Sequence, residues 1–160
     1  PRGKGGAGSN RTGAGGEEAT EPVGAEAGVA EGGAMTHRGS CLCGGVRFTV
    51  EGDLPAGDAC HCVQCRKSSG HYFASTDVPR EALVFESDAG LRWYRSSEKV
   101  RRGFCGECGA SLFWDPIGRP KIAIAMGAFD GPTHSSLHMH IFVAEKGDYY
   151  EIADGLPLQP

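Results

Sequence analysis

The stretch DACHCVQCRKSSG, residues 58–70, sets three cysteines within six positions and lodges a histidine between the first two. Three readings compete for it: a disulfide cluster, a structural metal knuckle, or a metal site with one coordination position left for chemistry. The other four cysteines fall as C-x-C (Cys41, Cys43) and C-x-x-C (Cys105, Cys108), so all seven lie between residues 41 and 108 and none stands alone. A disulfide framework leaves one thiol over. Residues 1–34 also lack the uninterrupted apolar run of a secretory signal, so nothing there points to an oxidising compartment.

Zinc accounts for these spacings better, because C-x-x-C followed by a tight turn lets two thiolates converge on one ion at about 2.3 Å while turn amides donate to sulfur. CLCGG and CGECG place Gly44, Gly106 and Gly109 where the backbone must pass close to the metal. Seven thiolates divide naturally into four, which close a tetrahedron, and three, which leave a position for water or substrate. Spacing alone does not say which four belong together, since Cys62, Cys65, Cys105 and Cys108 make an equally good two-knuckle ribbon.

Around the cysteines, the chain from Ser40 onward alternates short β-branched and aromatic runs with glycine, proline and aspartate, which predicts a mainly β domain. The expected strands are GVRFTVEG, HYFASTDV, ALVFES, LRWYRS, KVRRGFC, SLFWD, KIAIAM and LHMHIFVA. In VRFTV the alternation turns Val46, Phe48 and Val50 to a core and Arg47 and Thr49 outward. No window holds helical periodicity over about 12 residues, and a short turn after Cys65 is the best helical candidate.

The 160 residues suit one domain, residues 35–160, preceded by a tail. Residues 1–34 hold 11 of the 26 glycines, no aromatic residue, five glutamates and three basic residues, a composition expected to stay disordered. No stretch approaches the roughly 20 apolar residues of a membrane span, so a soluble cytoplasmic protein is expected. The net charge of −4 is split evenly between residues 1–34 and the remainder, and no basic field invites nucleic acid.

Taken together, GSCLCGGVRF, CHCVQCRKSSG, RGFCGECGASLF, MGAFDGP and the closing HIFV with IADGLP resemble the glutathione-dependent formaldehyde-activating enzyme family, from about His37 to Pro157. The resemblance implies a β-tent of stacked antiparallel sheets organised around zinc-binding knuckles. It also implies two zinc ions per chain: a structural one on Cys41, Cys43, Cys105 and Cys108, and a catalytic one on Cys60, Cys62 and Cys65. The activity implied is that of a carbon–sulfur lyase acting on glutathione or a related thiol and formaldehyde or another small aldehyde. Many members carry a tryptophan before the final DGLP, where this chain reads DYYEIADGLP. The family also contains centromere protein V, but a chromatin role would want a basic extension and residues 1–34 are acidic.

A zinc held by three thiolates carries net charge −1, which suits one more soft ligand such as a substrate thiol better than it suits generating hydroxide. Coordination lowers that thiol's pKa from about 8.5 and readies it for attack on a carbonyl. Arg66 and Lys67, directly after the third ligand, are candidates to bind glutathione carboxylates. His61 must point away from an ion shared by its neighbours and is expected to hydrogen-bond behind them. His37 and His134 lack ligand spacing, and His138 and His140, two apart on one strand face, read as sheet-surface residues. Arg101 and Arg102 read as offsetting thiolate charge, and Trp93 and Trp114 as core or pocket wall. The competing reading is a zinc-binding thiol carrier or interaction module without turnover.

Overall fold

A computed structural model describes residues 35–160; the segment expected to be disordered, 1–34, lies outside the described residues. The strands are β1 (Thr36–Ser40), β2 (Arg47–Glu51), β3 (Gly57–Cys60), β4 (Phe73–Pro79), β5 (Leu83–Ser87), β6 (Leu91–Arg95), β7 (Val100–Cys105), β8 (Ser111–Pro116), β9 (Lys121–Ala125) and β10 (Leu137–Ile141). One α-helix, α1 (Val63–Ser69), joins them. All eight strands expected from the sequence form. The helix starts two residues before Cys65, not after it.

The strands build a three-stranded sheet in the order β1-β2-β5 and a seven-stranded sheet in the order β10-β3-β4-β9-β8-β7-β6. Alternation on β2 does what its pattern dictates: Val46, Phe48 and Val50 are buried while Arg47 stays exposed. The core lies between the sheets, where the Phe48 and Phe113 rings meet edge-on at 5.3 Å and Leu112, Ile122 and Ile124 fill around them. On the seven-stranded sheet Asp115 is almost wholly buried between the guanidinium groups of Arg80 and Arg101, the latter at 2.7 Å. Burial alone would raise this carboxyl, but the two arginines hold it below the usual range.

Between the named strands the pairing departs from the expected antiparallel arrangement at β10, which runs parallel to β3. The reason is the long crossover from β9 to β10, since a strand returning by a crossover need not reverse direction. The consequence decides the site. Cys60 and Ile141 end adjacent strands at the same edge, so the segments leaving them meet, with the His61 amide donating to the Ile141 carbonyl at 2.9 Å.

Candidate functional site

The seven cysteines are all free thiols and gather into two clusters, Cys41–Cys43–Cys105–Cys108 and Cys60–Cys62–Cys65, in each of which the sulfurs lie within 4.8 Å of one another. Each cluster can hold a metal ion. This division removes the two-knuckle ribbon of Cys62, Cys65, Cys105 and Cys108 that spacing left open.

The four-sulfur cluster is made by two backbone turns of the same design. In the loop between β1 and β2 the Gly44 amide donates to the Cys41 carbonyl at 3.0 Å, and the Cys41 amide donates to the Val46 carbonyl at 3.0 Å. Between β7 and β8, Gly109 donates to Cys105 and Cys105 to Ala110, each at 2.9 Å. Gly44 and Gly109 take φ of 75° and 76°, the left-handed region that glycine enters without steric cost. A third turn, between β5 and β6, fastens the pair: Gly90 donates to the Gly45 carbonyl at 3.1 Å and accepts from Gly106 at 2.8 Å. A Cβ at Gly90 would stand 3.1 Å from the Cys105 sulfur, so this turn is a part of the site that the cysteine pattern did not reveal.

Cys41 and Cys43 sulfurs are 3.6 Å apart, and Cys43 and Cys105 3.7 Å. These are far beyond a disulfide bond, and close to the edge of about 3.8 Å that a tetrahedron of 2.3 Å zinc–sulfur bonds requires. The donor set fits zinc.

The three-sulfur cluster is built differently. Cys60 ends β3, and Cys62 caps α1, its sulfur accepting from the Cys65 amide at 3.4 Å. Cys65 is the buried residue of the helix, and i to i+3 spacing brings it onto the same side as Cys62. Its thiol is lowered to about 6, first by the hydrogen bond from Cys60, then by Cys62 and by the charge of Arg102. Cys60 is pushed up in return, by that same hydrogen bond and by burial. In the larger cluster the Ala110 amide leads in lowering Cys108 to about 6, while Cys43, although the Gly45 amide opposes the rise, is pushed up to about 12 by Cys41, Cys105 and Cys108. Sulfurs this crowded cannot all be anions on their own, and such a donor set is able to exchange the protons it holds back for a divalent cation.

All three sulfurs of the smaller cluster line a cavity of about 830 Å³ with Phe73, Trp114, Arg102, Asp58, Asp77 and Glu145 also on its wall. A neighbouring cavity of about 770 Å³ reaches the four-sulfur cluster only at Cys41. Arg102 carries both terminal nitrogens 3.8 Å from the Cys65 sulfur, reaches Gln64 Oε1 at 3.3 Å, and keeps its Nε buried without a partner. Burial, then Asp58, raises the Asp77 carboxyl.

The expected basic residues distribute unevenly. Arg102 does offset thiolate charge, but Arg101 instead pairs with Asp115 and stacks over Trp93 at 4.1 Å, because alternate residues of β7 face opposite sides. Arg66 and Lys67 do not border the cavity: each residue turns about 100° along a helix, and Cys65 occupies the inward direction. His61 does lie behind its neighbours as expected, wholly buried, its ring bonded to Tyr150 Oη and to His140 Nδ1 at 2.8 Å. His140 is the clear correction: it is buried, not on the sheet surface, because His61, Tyr72 and Asp154 close around its ring while residues 157–159 pair along its strand edge. Trp114 stands on the cavity wall, while Trp93 packs against the core.

Among the described residues no helix is long and apolar enough to cross a membrane. The family model described as glutathione-dependent formaldehyde-activating enzyme matches residues 36–145. An uncharacterised lyase of Schizosaccharomyces pombe is 25% identical over 119 residues, covering 74% of this chain and 86% of the relative. A Halomonas elongata protein assigned by name to glutathione-dependent formaldehyde activation is 26% identical over 131 residues, covering 74% and 82%. The crystal structure of a Rhodobacter sphaeroides protein superposes with a TM-score of 0.51 at 22% identity, over 59% of this chain and 89% of that one, which is a likeness of fold.

Proposed function

We propose that this chain, which belongs to the glutathione-dependent formaldehyde-activating enzyme family, is a two-zinc carbon–sulfur lyase that makes or breaks the S-hydroxymethyl adduct of a thiol and a small aldehyde. Cys41, Cys43, Cys105 and Cys108 hold the structural ion, and Cys60, Cys62 and Cys65 the reactive one. The observation that carries the reading is that three sulfurs, one short of a tetrahedron, stand together on the wall of a cavity of about 830 Å³. Bound there, zinc supplies a fourth position in which a substrate thiol loses its proton at neutral pH.

The chain's own residues do the rest. Arg102 lies against Cys65 and so keeps part of the cluster's negative charge neutralised, and as the arginine on the cavity wall it is the cation placed to pair with a substrate carboxylate. That assignment moves the carboxylate-binding role from Arg66 and Lys67, which are off the wall, to a residue on it. Phe73 and Trp114 give the wall an apolar side, which limits water around the reacting atoms.

In the forward direction the thiolate sulfur forms a bond to the aldehyde carbon, the carbonyl π pair moves to oxygen, and the proton given up by the thiol ends on that oxygen. Reversal returns it and expels the aldehyde. Atoms and charge balance without an oxidant or reductant.

The test is exchange spectroscopy on mixtures of glutathione and formaldehyde. Adduct exchange should be faster with the protein than without it and return to the uncatalysed rate with Cys62→Ser. Thiol binding without accelerated exchange would leave the carrier reading in its place.

A further inference from the structure

Cys60–His61–Cys62 is gripped from the side opposite the cavity. His61 is wholly buried, its Nδ1 bonded to Tyr150 Oη and its Nε2 to His140 Nδ1 at 2.8 Å, while His140 Nε2 meets Asp154 Oδ2 at 2.9 Å. The polarity of this chain of bonds is fixed from one end. A carboxylate only accepts, so His140 donates from Nε2; with both imidazoles neutral, His61 then donates from Nε2 and accepts from the Tyr150 hydroxyl at Nδ1. All four ring nitrogens of His61 and His140 are satisfied, and neither histidine is left free to swing toward the sulfurs.

The segment supplying these groups is itself fastened. His140 donates its amide to the Pro157 carbonyl and accepts from Gln159, both at 2.8 Å. Tyr150 lies flat against the His61 ring, centroids 5.7 Å apart at 23°. On the helix side Glu145 Oε2 accepts from the Val63 amide at 2.8 Å and so pins the first turn of α1, which carries Cys65. The four-sulfur cluster shows no side-chain relay of this kind among the described residues and is held by its own backbone turns.

We propose that Tyr150, His140 and Asp154 are positioning residues: through His61 they hold the Cys60–Cys62 knuckle so that its two sulfurs converge with Cys65 on one ion. The proposal rests on the reading that this cluster binds a metal. His61 and His140 lie within residues 36–145, the span of the family model, while Tyr150 and Asp154 come from the segment after it. Groups behind metal ligands orient them, and losing one typically costs about 10- to 100-fold in metal affinity.

The test is cobalt(II) titration of the metal-free full chain and its variants, followed by the sulfur-to-cobalt and d–d absorption bands. The phase belonging to the four-sulfur cluster is identified with Cys62→Ser. Tyr150→Phe keeps the ring on His61 and removes only the hydroxyl; Asp154→Ala removes the acceptor at the exposed end. Each should weaken the three-sulfur phase about tenfold or more and alter its d–d bands, leaving the four-sulfur phase unchanged. Two ions in the parent with the three-sulfur phase unmoved in both variants overturns the proposal alone, and so does equal loss from both phases, which marks general unfolding. A parent that takes one ion overturns the metal reading beneath it and the proposal with it.

Discussion

The four-sulfur and three-sulfur clusters use the same chemistry and opposite architecture. The first is closed by two glycine turns and a third turn at Gly90, backbone against backbone, with Cys105 fully buried. The second borrows a strand end and a helix, opens on a cavity, and is steadied from behind by side chains of a distant segment. The contrast teaches where each contributes: a site completed by its own donors converts metal affinity into folding free energy, whereas one that stops at three keeps part of its binding energy for a visitor.

The contrast breaks most visibly in thermal melting. Cys105→Ser should lose about 5 kcal/mol or more, with a fall in Tm of about 15 °C, because the closed site stabilises only the folded chain. Cys62→Ser, in the open site, should lose about one zinc by elemental analysis, abolish adduct exchange, and melt within about 4 °C of the parent. Equal melting of the two variants would contradict the division into closed and open sites.

A smaller effect tests the cavity. Arg102→Ala should raise KM for a carboxylate-bearing thiol about tenfold, some 1.4 kcal/mol, while Arg66→Ala, off the wall, should change it less than about twofold. Kinetics with glutathione and with a thiol lacking carboxylates separate carboxylate binding from charge neutralisation at Cys65, since only the second is left for Arg102 to supply to the uncharged thiol.

The smallest difference expected is in proton dependence. Metal uptake must expel the protons of the raised thiols, Cys60 in one cluster and Cys43 in the other, so affinity rises with pH in both, about tenfold per unit for each proton displaced. As pH falls through about 6, Cys65 and Cys108 take up protons too, and both profiles should steepen there. Chelator competition between pH 5 and 8 measures this, and profiles that diverge would mean thiol acidity, not the open corner, distinguishes the clusters.

The sequence made the β class legible because alternation such as Val46, Phe48 and Val50 maps directly onto a half-buried strand. It hid β1 and β3. THRGS and GDAC carry little apolar signal, yet Gly39 is needed because any Cβ there would strike the Phe48 ring, and β3 is held by its neighbours on both edges. Spacing marked all seven cysteines but not their partners, since the grouping depends on which loops the sheets bring together. His140 escaped for a like reason: a residue on β10 meets the site only after long-range pairing, and nothing in LHMHI says that a later tyrosine and aspartate will bury one of its histidines.

The central claim is that the Cys60, Cys62 and Cys65 sulfurs leave one corner for an incoming thiol. X-ray absorption at the zinc edge of the two-zinc protein tests it most directly. Averaging four and three, the chain should show about three and a half sulfurs per zinc alone and about four once glutathione is added. Four sulfurs per zinc without any added thiol, or an average that glutathione does not move, would contradict it.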